Sequence, residues 1–231
     1  INRRQIGVIK LMNPAKKTAL SIALLDQHCT LRNGLESLFG AIEELAVVGS
    51  FSRPRELSNC FNSLQVDVAV MGLVFDGDDA LGHITDWSNS HPETKFLVLS
   101  QLPEMICARR VLDAGGNGYL MKKCSPSALI DGVHRVAAGG VVVSRQIADQ
   151  LMTDFHKCST RDEAACFDQL TDRELYVLSL IGQGHTTAAI ATEMNLCKKA
   201  VSSCKEGLKT KLSLNSSQQL MQIALQCLGR R

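Results

Sequence analysis

Aromatic side chains are scarce: the 231 residues include one Trp, two Tyr and seven Phe. Trp87 and Tyr119 fall in the first part of the chain and only Tyr176 in residues 170–231, which disfavours single-strand nucleic-acid binding, where bases stack on aromatic platforms. Long apolar runs are missing too. The longest uncharged one, Val68 to Phe75, is far short of the roughly 20 residues that cross a bilayer, so no membrane span is expected. The nine cysteines are odd in number and form no C-x-x-C or metal-spaced His/Cys cluster, which argues against a disulfide framework and a zinc site. Reduced cytoplasmic thiols are the expectation, with Cys158 and Cys166 either a redox pair or ordinary free thiols. No G-x-G-x-x-G or P-loop follows a strand. His28, His83, His91, His134, His156 and His185 are scattered, and no Ser/His/Asp or Cys/His constellation stands out. Neither enzymatic activity nor a metal or cofactor is expected.

What is present is divided by charge. Residues 170–231 carry eight Lys/Arg against four Asp/Glu, residues 18–169 twelve against nineteen, and residues 1–17 five basic residues with no acid. An acidic body joined to a basic end predicts that only the end approaches a polyanion. The Arg3-Arg4 pair precedes too short an apolar stretch for a twin-arginine signal, and residues 1–17 read as a basic extension.

Within the basic end, residues 170–214 predict three short helices. Thr171 with Glu174 makes a capping-box signature, and Leu175, Leu178 and Ile181 follow at helical spacing until Gly182 and Gly184. A second helix over Thr187–Met194 buries Ile190, Ala191 and Met194, and a turn through Asn195 and Leu196 leads to a third from Lys198. Such a pair is the skeleton of a helix-turn-helix, whose second member enters the major groove of duplex DNA. On a wheel of about 100° per residue, Lys198, Ser202, Lys205 and Lys209 fall on one stripe and Val201, Cys204, Leu208 and Leu212 on its neighbour. Lys198, Lys199, Lys209 and Lys211 suit phosphate contacts; Ser202, Ser203 and Lys205 sit where side chains reach base edges.

These residues resemble the LuxR-type DNA-binding domain, and the run Ala200–Leu212 is most similar to its Rcs capsule-regulator branch, where V/I-S-S-x-K opens the recognition helix. The resemblance, over about 60 residues, implies DNA contact by Lys199, Ser202, Ser203, Lys205 and Lys209. Ala200, Cys204 and Glu206 depart from the usual pattern, Glu206 standing where a basic or small residue is commoner, so the operator sequence does not carry over. Farther on, Ser216 with Gln219 caps a last helix with Leu220, Ile223, Ala224 and Cys227 on one face. That face either closes the small domain's core or, as the family resemblance implies, forms a dimer contact.

From Thr18 to Val143, short apolar runs alternate with longer amphipathic ones. Strands are expected at Leu20–Leu25, Ala46–Gly49, Val66–Leu73, Phe96–Leu99 and Gly118–Met121. Helices are expected at Leu31–Glu44, Arg55–Leu64, Asp79–His91, Met105–Ala114 and Ser127–Ala138. Five βα units predict a flavodoxin-like, five-stranded parallel sheet with any site at the strands' carboxyl ends. The stretch resembles the receiver domain of response regulators over about 125 residues. That family places an acidic pair after the first strand, an Asp after the third, a Ser/Thr at the fourth and a Lys at the fifth. The matching residues here are Asp26-Gln27, Gly72, Ser100 and Lys122, at intervals of 45, 28 and 22 residues.

Phosphoryl transfer to a receiver needs a carboxylate nucleophile and acids that hold Mg²⁺. Gly72 has no side chain and Gln27 is neutral, so of three carboxylates only Asp26 remains, and Lys122 either pairs with it or serves another structural role. The acidic knot Asp76, Asp78 and Asp79 fits a solvated loop and helix N-terminus better than a displaced acceptor.

The expected organisation is a basic extension over 1–17, a degenerate receiver-like domain over 18–143, a linker over 144–169 that begins with a short helix, and an all-α helix-turn-helix domain over 170–231. The expected function is a sequence-specific transcriptional regulator, cytoplasmic and nucleoid-associated in a bacterium, that binds double-stranded DNA without receiver phosphorylation. It would act as a homodimer or as a heterodimer with another response regulator. The alternative is an auxiliary interaction protein that heterodimerises with such a regulator and binds DNA poorly alone. Any small-molecule ligand is unknown.

Overall fold

The computed structural model describes residues 19–75, 79–149, 167 and 169–229, with only the backbone for 226–229. The basic extension, Asp76 and Asp78, and the linker residues Cys158 and Cys166 lie outside the described residues, as do the side chain of Cys227 and His156. Residues 145–149 are helical, so the start of the short linker helix is present. Two compact units are distinguished.

The α/β unit alternates β1 (Leu20–Leu25), α1 (Cys29–Gly40), β2 (Leu45–Phe51), α2 (Pro54–Phe61), β3 (Val68–Met71), α3 (Ala80–Ser90), β4 (Lys95–Ser100), α4 (Glu104–Asp113), β5 (Gly118–Met121) and α5 (Pro126–Ala137). All strand pairs are parallel, in the order β2-β1-β3-β4-β5. Ile22, Ala23, Leu24, Val68, Ala69, Phe96, Leu97 and Val98 are inaccessible to solvent, as a sheet covered on both faces requires. One contiguous cluster joins Ile22, Leu24, Val68 and Leu97 to Phe39 of α1 and Val133 of α5.

Capping and turn chemistry set the register between elements. Ser125 accepts from the Ala128 N–H at 3.2 Å and Pro126 opens α5. Gly115 has φ +94°, a left-handed conformation that lets the chain reverse after α4 and enter β5. The periodicity places β1 and β5 at their observed bounds but extends the first helix too far. α1 ends at Gly40, with Ala41 as its C-cap, because the Leu45 and Ile42 N–H groups are taken up by a tight turn into β2.

The helical unit contains α6 (Asp172–Gly182), α7 (Thr187–Glu193), α8 (Lys198–Lys211) and α9 (Ser217–Gly229). α6 is buried nearly all round, including Leu175, Val177, Leu178 and Ile181, and packs against both α8 and α9. The expected capping box is complete: the Glu174 N–H donates to Thr171 Oγ1 at 3.2 Å and the Thr171 N–H to Glu174 Oε2 at 2.8 Å. Thr186 caps α7 through the Ala189 N–H at 3.2 Å. Asn195 at φ 52° makes the turn between α7 and α8. Ile190, Ala191 and Met194 face inward as the periodicity predicts. No described helix is long and apolar enough to cross a membrane.

Candidate nucleic-acid interface and sheet-edge site

Parallel strands that end in step place the residues following them along one edge. Leu25 pairs with Met71, Met71 with Val98, and Ser100 with Met121, so Asp26, Gly72, Ser100 and Lys122 gather at the sheet's carboxyl edge. β1 is flanked by β2 and β3, and Asp26 and Gly72 sit where the strand order reverses, the usual place for a ligand in such folds.

Asp26 is buried, and its carboxylate is already occupied. Lys122 Nζ donates to Oδ2 at 2.6 Å, the His28 N–H donates to Oδ1 at 2.8 Å, and the His28 ring Nδ1 lies 2.7 Å from Oδ1. Arg32 donates to the Asp26 carbonyl oxygen. The Lys122–Asp26 pair that the sequence left open is therefore made. Gly72 is part of the same packing: a Cβ there would lie 2.7 Å from Asp26 Oδ2, so any side chain would push against the carboxylate. Gln27 is half-buried and Ser100 is buried, its carbonyl accepting from the Lys122 N–H at 2.8 Å.

These residues do not fit Mg²⁺. The ion needs several oxygen ligands, whereas the described residues of the edge offer one carboxylate already paired with an ammonium, a neutral amide and a glycine. Among the described residues no group of three or more His, Cys, Asp or Glu is placed to hold a metal ion. Asp79 is the N-cap of α3, a position where a carboxylate is favoured by the helix dipole. The roles of His28 and Arg32 were missed from sequence; the only signal was their nearness to Asp26.

On α8, Val201 and Leu208 are fully buried and Leu212 nearly so, with Cys204 half-buried, so the apolar stripe packs as expected. The lysine stripe is split. Lys198, Lys199, Ser202 and Ser203 are exposed, but Lys205 and Lys209 are half-buried. Lys205 Nζ donates to Thr187 Oγ1 of α7 at 2.8 Å, and Lys209 Nζ lies 2.7 Å from Glu206 Oε1. Lys211 turns back to α6, donating to Glu174 Oε2 at 2.7 Å and to the Gln169 carbonyl at 3.3 Å. The reason is angular. The lysine stripe lies only about 40–80° from Val201 on a helical wheel, close enough for its stems to lie along the core. The face opposite Val201 is Lys199, Ser203, Glu206 and Thr210, all exposed.

Burial alone would raise the Glu174 carboxyl, but hydrogen bonds from Lys211 and Thr171 outweigh it and hold the group below its ordinary value. The Cys204 thiol is pushed up, by burial first and then by the nearby Glu174 carboxylate. Burial also raises Cys60 and Cys124. Cys29 and Cys197 are exposed, and among the described residues Cys29, Cys60, Cys107, Cys124, Cys197 and Cys204 form no disulfide.

The family model for bacterial regulatory proteins of the luxR family (GerE) matches residues 168–224, and that for the response regulator receiver domain matches residues 22–134. The chain is 28% identical over 211 residues to the oxygen regulatory protein NreC of Staphylococcus epidermidis, covering 89% of this chain and 97% of that protein. It is 26% identical over 206 residues to the response regulator GacA of Pseudomonas aeruginosa, covering 89% and 95%. The fold is shared with the Salmonella typhimurium RcsB response regulator at 23% identity and a TM-score of 0.52, over 91% of this chain and 99% of that one. With a receiver fold followed by a GerE helix-turn-helix domain, the chain is a DNA-binding response regulator of the LuxR type.

Proposed function

We propose that this regulator reads duplex DNA through α8 and does so without phosphorylation of its receiver domain. The observation that carries the reading is Gly72 at the end of β3. It provides no nucleophile, and the one neighbouring carboxylate among the described residues, Asp26, is bound by Lys122 and His28. Lys122 and Ser100 then act as structural residues of the edge, and the receiver domain serves as an interaction or ligand-sensing module.

In the DNA complex Lys198 and Lys199, exposed at the start of α8, contact phosphate, while Ser202 and Ser203 face base edges. Lys205 flanks this surface and reaches phosphate by releasing Thr187, Lys209 reaches it with a remaining ammonium N–H while keeping Glu206, and Lys211 holds Glu174. The V-S-S run at 201–203 supports placing the domain nearest the Rcs branch. Residues 1–17, 18–143, 144–169 and 170–231 are the proposed extension, receiver, linker and reader.

Dimerisation is supported by α9, whose Met221 and Leu225 are 38% and 52% exposed. One solved relative is described as two RcsB dimers bound to two parallel DNAs. A second copy of this chain, or another response regulator, would cover that face.

The test is duplex-DNA binding by the full chain, followed by fluorescence anisotropy across a salt series, before and after incubation with acetyl phosphate and Mg²⁺. Salt-dependent binding with coincident curves is expected. Binding only after treatment would overturn phosphorylation independence, and no binding at moderate salt would favour the auxiliary interaction protein.

A further inference from the structure

The outward face of α8 carries an anion where a polyanion is to be met. Glu206 stands on the same exposed stripe as Lys199, Ser203 and Thr210, opposite the buried Val201. Its side chain is 70% exposed. Near phosphate such a charge is repelled, so its place on the reading face needs a compensating contact. Two features provide one. Lys209 Nζ sits 2.7 Å from Oε1, which offsets the charge and fixes the side chain, while Oε2 accepts no hydrogen bond from any described residue. Ser202 and Ser203, one turn earlier, are exposed on the same side of the helix, in the row proposed above to face base edges.

We propose that Glu206 is a specificity-determining residue that accepts a hydrogen bond from the exocyclic amino group of a cytosine in the major groove. Cytosine presents N4–H₂ as its donor there. Adenine also offers a donor, but its neighbouring N7 acceptor repels a carboxylate, and the major-groove edges of guanine and thymine offer acceptors and no donor. Glu206 thus selects mainly by exclusion: any base without a donor leaves the desolvated Oε2 without a partner. Lys209 acts as a positioning residue that holds Oε1 and leaves Oε2 for the base. The inference rests on α8 being the reading helix.

The test is selection from a randomised duplex library by the full-length chain, with Glu206→Gln and Glu206→Ala in parallel. Circular dichroism establishes that both exposed-site variants remain folded. The wild type is expected to recover one position fixed as C·G, and both variants to lose about tenfold or more of the discrimination at that position alone. Unchanged preferences at every position, with affinity merely raised in the variants, would overturn the proposal and leave Glu206 as a repulsive charge. No enrichment of any duplex by the wild type would sink the reading helix itself, and the proposal with it.

Discussion

Charge is used in opposite ways at the sheet edge and on the outer face of α8. At the edge the ionic groups satisfy one another: Asp26 is buried against Lys122, and the Lys122 side chain is 17% exposed. On α8, Lys205 and Lys211 bond to Thr187 of α7 and Glu174 of α6 and Lys209 pairs with the exposed Glu206, whereas Lys198 and Lys199 at its start remain exposed. A closed ion pair stabilises a fold but is poorly placed to receive a ligand. Exposed cations at a helix N-terminus face the positive end of the helix dipole at a small cost, and the two together are ready for an anion.

The contrast can be broken first at its structural roots. Leu208→Ala removes a fully buried side chain that holds α8 to the helical unit, and is expected to destabilise that unit by about 2–5 kcal/mol, read by chemical denaturation. At the sheet edge, Lys122→Met leaves Asp26 with an unbalanced buried charge and is expected to cost about 3 kcal/mol, with DNA affinity unchanged at temperatures where the chain is folded. If Lys122→Met instead abolished DNA binding by a folded chain, the two sites could not be treated as separate.

Sharpening the contrast on α8 requires smaller changes. Lys198→Ala with Lys199→Ala is expected to weaken binding across all sequences and to reduce the slope of log affinity against log salt by about two, without loss of stability. Lys211→Ala is expected to do the reverse, lowering stability by about 1 kcal/mol with little effect on the salt slope, because its partner is Glu174 rather than phosphate.

The smallest effect concerns pH. Glu174 has its folded pKa lowered, so its contribution to stability is present above the unfolded-state value and is lost as pH falls through the lower folded value. Unfolding measured between neutral and acidic pH is expected to show that loss in the wild type and not in Glu174→Gln.

Much of this was legible in the sequence. β1 and β5 have the bounds that apolar patterning assigns them, and the Thr171–Glu174 box closes as its spacing predicts. Gly72, where the receiver resemblance expects an acid, was visible because intervals of 45, 28 and 22 residues set the register of that resemblance. What periodicity does not reveal is which polar groups find each other across elements. The bond from Lys205 to Thr187 joins residues 18 positions apart, that from Lys211 to Glu174 residues 37 apart, and that from Lys122 to Asp26 residues 96 apart. The same lysines therefore read as one cationic stripe on a wheel and as two populations in the fold.

Gly72 and the Asp26–Lys122 pair carry the central claim, and intact-mass measurement after incubation of the full chain with acetyl phosphate and Mg²⁺ tests it most directly. The account predicts an unchanged mass. Stoichiometric addition of one phosphoryl group to a residue of the α/β unit would contradict it.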